Sequence, residues 1–148
     1  MTDLPFRFGA EVYTWFMDGN GEAHEGELGH MIEVTARAGF DGIEPIAYWM
    51  GELADPQKLA ATLEEHGIEL AAIALTLPWN HPQETEEEIK KADEIIELTS
   101  KFPGALLCLV HEPAGRHDVA ARRKNLVANL NSVARRAAAR GVESTFHP

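Results

Sequence analysis

Four short motifs in the chain set reactive or hydrogen-bonding side chains beside proline. They are Glu44-Pro45, the run Leu77-Pro78-Trp79-Asn80-His81, His111-Glu112-Pro113 and His147-Pro148. Carboxylate and imidazole groups move protons and hold metal ions, so these are the residue types that general acid–base or metal chemistry needs. Proline has no N–H to give to a β ladder, so each pair reads as the end of a strand. In parallel α/β folds the strand C-termini form one face, and sites are built there. The clustering of polar residues at strand ends is the main functional clue in the sequence.

The elements that must position these residues follow from periodicity. A helix-like stretch ending in Gly, followed by an apolar residue and often an acid, recurs as Ala38-Gly39-Phe40-Asp41, His66-Gly67-Ile68-Glu69 and Arg140-Gly141-Val142-Glu143. Pro103-Gly104-Ala105 is a weaker copy. Glycine after a last helical turn supplies the left-handed position without a Cβ penalty. The glycines lie 28, 37 and 37 residues apart, a spacing suited to repeated α-turn-β units. Leu28, Met31, Ile32, Thr35 and Ala36 form one helical stripe. Asp55-Pro56 reads as an N-cap with proline in the first turn. Thr85 and Glu88 have capping-box spacing, and Ile89, Ala92, Ile96 and Thr99 follow behind them. Leu126, Leu130, Val133, Ala134 and Ala137 mark the last helix.

Between these helices lie apolar runs at Phe8–Thr14, Gly42–Ile46, Leu70–Leu77, Ala105–Val110 and Val142–Phe146. Two of them, LAAIAL and ALLCLV, do not alternate, as expected of strands covered on both faces. The expected order is β-α-β-α-β-α-β-α-β, about five strands and four helices in one domain spanning residues 1–148.

Composition narrows the classes of function. The chain has 148 residues, 45% hydrophobic and 25% charged, which suits a globular domain. It carries 13 Lys+Arg against 24 Asp+Glu, a net charge of −11, which argues against a nucleic-acid partner. The basic residues gather between Arg116 and Arg140 and read as a solvated helix face. No apolar run approaches the roughly 20 residues of a membrane span. The start of the chain has no signal-peptide pattern, and the lone Cys108 cannot form an internal disulfide. A cytoplasmic protein with a small-molecule substrate and no membrane partner is expected.

Two architectures fit this order, an open doubly wound sheet and part of a (β/α)8 barrel. The loop Asp18-Gly19-Asn20-Gly21 matches no phosphate-cradling motif, and units of this length suit a barrel of about 250 residues. The segments ARAGFDGIEP, EEHGIELAAIAL and AARGVESTFHP resemble the repeating units of the xylose isomerase-like barrel superfamily, also described as the sugar phosphate isomerase/epimerase or AP endonuclease 2 family. The resemblance runs from about Phe8 to Pro148 and covers only the first five of eight strands. The most specific part is Gly39 to Glu44.

This resemblance implies a metal-dependent sugar or polyol isomerase or epimerase, or an inosose dehydratase-like lyase, of carbohydrate metabolism. It implies a divalent metal ion (Mn, Co, Zn or Mg) that holds neighbouring oxygens and stabilises an enediolate. Glu44 matches the family's glutamate after the second strand, and His111 a histidine at the end of the fourth. Both are candidate catalytic groups. His147 stands where many members carry a metal-binding Glu. With His111 it forms the candidate metal pair, and imidazole shifts preference away from Mg. Tyr13, Trp15, Trp49 and Trp79 are candidate walls against a sugar ring, with Tyr48 nearby, and His81 with Asn80 a source of hydrogen bonds to hydroxyls. Each also has a plain reading. The histidines would be hydrogen-bonded at a barrel mouth, Glu44 would cap a turn, Glu112 would be a solvated loop acid, and the aromatics would pack the core.

Five parallel strands cannot close a barrel, and the first and fifth would offer unpaired edges. The expectation is a truncated chain lacking its C-terminal half. The alternative is a non-catalytic half-barrel that pairs with another chain, for instance as a homo-oligomer. An AP-endonuclease-like DNA repair enzyme is a weaker alternative, opposed by the net charge.

Overall fold

The computed structural model describes residues 6–17, 24–112 and 117–148. The loop 18–21, Pro113 and Arg116 therefore lie outside the described residues. The fold is α/β and matches part of a TIM barrel. Its strands form two three-stranded sheets, and the chain divides into two compact units, Met1–Ala72 and Ile73–Pro148.

In the first unit, β1 (Gly9–Glu11), β2 (Gly42–Glu44) and β3 (Glu69–Leu70) pair in parallel in that order. A single helical turn, α1 (Tyr13–Phe16), follows β1, so the expected strand Phe8–Thr14 stops at Glu11. Helix α2 (Leu28–Arg37) packs on β2 and on α3 (Pro56–His66). Leu28, Met31, Ile32, Ile43 and Leu59 are fully buried between them. The segment Gly39 to Glu44 has a physical logic that its sequence only hints at. Gly39 turns the chain out of α2 at φ +85°. The Asp41 carboxylate accepts from Phe8 N–H at 2.8 Å, while the Asp41 N–H donates to the Phe8 carbonyl at 2.7 Å, which docks β1. A Cβ on Gly42 would stand 3.1 Å from the Glu69 carbonyl oxygen, so a small residue is needed where β3 approaches. Helix α3 is capped as expected. The Asp55 side chain accepts from Gln57 and Lys58 N–H, Pro56 opens the helix, and Gly67 ends it in the left-handed region.

In the second unit, β4 (Ala72–Leu77), β5 (Leu106–His111) and β6 (Ser144–His147) lie in that order. The expected strand Leu70–Leu77 is thus divided at Ala71, with β3 and β4 in different sheets. Leu107 pairs with Ser144 and Val110 with His147 in parallel register. Helices α4 (Glu86–Thr99) and α5 (Val119–Ala139) pack on each other and on β5. Ile73, Ile96, Leu107, Val133 and Ala137 are fully buried. Five of the six residues of β4 are buried, as a strand covered on both faces requires. The Thr85–Glu88 capping box opens α4. The described residues give six strands and five α-helices; the additions to the expected five and four are the split third strand and the turn α1. No helix among the described residues is long and apolar enough to cross a membrane.

Candidate active site

The first unit carries two carboxylates side by side. Glu11 and Glu44 are register partners at the ends of β1 and β2. Partners in a parallel pair leave the sheet on the same face, with strands about 4.8 Å apart. The Glu44 carbonyl accepts from Val12 N–H at 3.2 Å, which fixes the turn into α1. Glu44 is half-buried and Glu11 exposed. Glu11 was not foreseen, because it stands out only once the register between two distant strands is known.

Aromatic side chains follow these strand ends. Trp49 is 1% exposed and forms the base of a cluster. Around it lie Tyr48 at 5.8 Å, His24 at 5.6 Å and Phe16 at 6.0 Å between ring centroids. Tyr13 stacks on Phe16 at 5.3 Å. Tyr13, Phe16 and Tyr48 keep large exposed faces, so the surface of this cluster is aromatic and open. Trp15 is half-buried. Burial, and secondly the neighbouring Tyr13 hydroxyl, push the Tyr48 phenol above its ordinary pKa.

The second unit holds the other expected residues. Trp79 follows β4 and is fully buried, at φ +42°, a backbone region that non-glycine residues seldom occupy. Its indole Nε1 is buried without a hydrogen-bond partner. Each of these features costs about 1–3 kcal/mol. The loop is held by Glu88, which the sequence marks only as half of a capping box, and by residues of α5 that it does not assign to a site. The Glu88 carboxylate, 4% exposed, accepts from Trp79 N–H and from Thr85 N–H, each at 2.7 Å. Asn129, 2% exposed, donates through Nδ2 to the carbonyls of Trp79 at 3.3 Å and His81 at 2.9 Å. Asn125 Nδ2 donates to the Asn80 carbonyl at 2.7 Å, and Arg122 Nε to Asn80 Oδ1 at 3.2 Å. The only signal for these residues was polarity at buried helical spacing, Asn125 and Asn129 being four apart.

His111 ends β5, and His147 lies in β6 opposite Val110. Side chains alternate along a strand, so His147 shares the face of Val110 while His111 lies on the face of Leu107 and Leu109. This register does not turn the two imidazoles toward one ion. Among the described residues no three His, Cys, Asp or Glu side chains are grouped to hold a metal. The divalent ion implied by the resemblance is therefore not matched by a ligand set here.

The sequence matches the family described as "Xylose isomerase-like TIM barrel" over residues 32–148, more than half of the chain. The chain belongs to the xylose isomerase-like TIM barrel family. No curated protein matches it by sequence. Solved structures of similar fold include a 3-keto-D-glucoside 4-epimerase from E. coli, at 17% identity and a TM-score of 0.60, covering 82% of this chain and 51% of that one. An L-ribulose 3-epimerase aligns at 23% identity and a TM-score of 0.63, covering 95% and 48%. A D-allulose 3-epimerase from Methylomonas sp. aligns at 21% identity and a TM-score of 0.58, covering 96% and 52%. The chain spans about half the length of these three structures.

Proposed function

We propose that the chain carries part of the active site of a sugar or polyol isomerase or epimerase. The observation that carries this reading is Glu44 beside Glu11 at two strand C-termini, each followed along the chain by residues of the open aromatic surface of Tyr13, Phe16 and Tyr48. Within a family whose fold neighbours are named as sugar epimerases, that pairing suits a ring or open-chain sugar. Apolar sugar faces stack on aromatic rings, and a carboxylate accepts the proton of a carbon next to a carbonyl.

The reaction is a proton relocation. A base, Glu44 in this reading, takes the C–H proton next to the carbonyl, and the bonding pair moves into an enediolate. The proton then returns to the opposite face of the same carbon for epimerisation, or to the former carbonyl carbon for isomerisation, in which case the neighbouring hydroxyl proton also passes to the former carbonyl oxygen. Epimerisation also needs a second acid on the opposite face of that carbon. Tyr13, Trp15 and the surface over Trp49, on the same unit as Glu44, contact the sugar. A divalent ion would stabilise the enediolate, but no ligand set for it stands among the described residues, so no step is routed through one. An elimination of water from the same enediolate, as in a dehydratase-like lyase, uses the same first step.

A second reading has its own support. Strands β1 and β6 are each an outer strand of their own sheet, and β6 is largely exposed. That favours a non-catalytic half-barrel that pairs with another polypeptide. The two readings separate in deuterium oxide. The chain incubated with L-ribulose or D-fructose is expected to exchange hydrogen for deuterium at the carbon next to the carbonyl. Glu44→Gln is expected to slow this at least about 100-fold, the usual scale for a general base. Equal rates in the two proteins, or no exchange in either, would sink the catalytic reading.

A further inference from the structure

We infer that the Trp79–His81 loop is a pre-organised binding site for an electron-rich oxygen. Its donors are the backbone N–H groups of Asn80 and His81, and Asn129 and Asn125 are the residues that aim them. The inference rests on the proposed sugar chemistry only for the source of that oxygen.

The argument is one of peptide geometry. All peptide bonds here are trans, so the N–H of each residue points opposite to the carbonyl before it. The Trp79 carbonyl is held toward α5 by Asn129, and the Asn80 carbonyl by Asn125. The N–H groups of Asn80 and His81 therefore both point away from α5. Neither has a hydrogen-bond partner among the described residues. Consecutive N–H groups aimed one way form a donor pair for an anionic or strongly polarised oxygen. Pro82 follows and adds no donor.

The cost of the arrangement supports a role. A buried Asn and a buried Glu are spent on one short loop. Trp79 accepts a left-handed backbone, and its indole N–H is left without a partner. Strain of this kind persists where the surroundings over-determine it, and it gathers at sites of function. The loop also follows the C-terminal end of β4, the end at which parallel α/β folds build sites.

The test is amide NMR on the 148-residue chain, titrated with D-fructose and, separately, with inorganic phosphate. The Asn80 and His81 amide protons are expected to move downfield together and saturably with one of the two probes. A response to fructose identifies a sugar hydroxyl or carbonyl oxygen as the ligand. A response to phosphate alone identifies a phosphoryl oxygen, upholds the site and counts against a simple sugar substrate. No response to either probe overturns the inference, whatever the fate of Glu44. Asn125→Ala releases only the Asn80 carbonyl, so it is expected to weaken the His81 response about tenfold or more while leaving that of Asn80. Asn129→Asp is expected to abolish the Asn80 response. Unchanged amide shifts at Ile73 and Leu107 report an intact fold in either variant. Equal effects of Asn125→Ala on both amides would show a merely structural role.

Discussion

Tyr48 shows how a single side chain can report on the candidate site. Burial is the larger cause of its raised pKa and Tyr13 the smaller. Its folded value lies above the unfolded one of about 10, so its contribution favours the fold fully below that pH. The contribution is lost as pH rises through the folded value. Tyr13 and Tyr48 are the two tyrosines of the chain, so ultraviolet absorbance follows Tyr48 against a small background. Tyr48→Phe is expected to remove the phase of an alkaline absorbance titration that lies above the ordinary tyrosine range. Tyr13→Phe is expected to move that phase down without restoring the ordinary range, because burial remains. If Tyr13→Phe restores the ordinary value completely, the order of causes is wrong. At this scale the sequence exposed Glu44, His111 and Trp79, because proline punctuates the strand ends beside them. It hid Glu11, Asn125 and Asn129, and showed Glu88 only as a cap. Their significance lies in a register between β1 and β2, and in hydrogen bonds reaching up to 50 residues along the chain.

Elements are joined by a few polar clamps and turned by a few special backbones, and both kinds are testable. Arg136 on α5 holds Glu84 through two bonds of 2.6 and 2.8 Å and Asp93 on α4 through one of 2.7 Å. Glu84 is 4% exposed in its side chain, so the guanidinium, itself held above its usual pKa first by Glu84, compensates a charge shut off from water. Arg136→Ala is expected to cost about 2–4 kcal/mol in urea unfolding, below the fully buried limit because Arg136 is a quarter exposed. Lys58→Ala breaks a fully exposed pair with Glu52 and is expected to leave the midpoint unmoved. Matching losses would show that burial does not decide the strength of these pairs. Glycines give a second contrast. Gly67 has φ +67° and open space around a Cβ, so Gly67→Ala is expected to cost about 1 kcal/mol of backbone strain. Gly51 has φ +52°, and a Cβ there would meet Gly26 Cα at 2.9 Å, so Gly51→Ala is expected to cost more. Equal thermal shifts would contradict this. Caps were the most legible elements, since Asp55-Pro56, Thr85 with Glu88 and the Gly67 stop act through neighbours in sequence. The break at Ala71 was not legible. LAAIAL is continuously apolar, and which sheet each residue joins is decided by partners far along the chain.

For the molecule as a whole, the open question is what meets its outer strands. Counting β3 and β4 as the divided third strand leaves five strand positions, where a closed barrel of this family has eight. Two copies would bring ten, so a pair of chains does not close an eight-stranded barrel, and contacts between copies are edge pairings that leave further edges open. Which groups form the β6 edge can be read from its hydrogen bonds. Leu107 N–H donates to the Glu143 carbonyl, and the register pairs Leu107 with Ser144. In a parallel ladder the N–H and C=O of Thr145 then face β5, while those of Ser144 and Phe146 face outward. The Phe146 side chain is itself 43% exposed. The chain is therefore expected to associate with rising concentration through this edge. Phe146→Pro removes only an outward N–H and an exposed ring, and is expected to abolish that association while leaving the far-ultraviolet circular dichroism unchanged. Thr145→Pro removes an inward N–H to β5 and is expected to lower thermal stability instead. Sedimentation velocity over a concentration series separates the two. If Phe146→Pro associates as the parent chain does, the contact lies elsewhere, and the β6 edge is not the surface that a completing segment or partner would take.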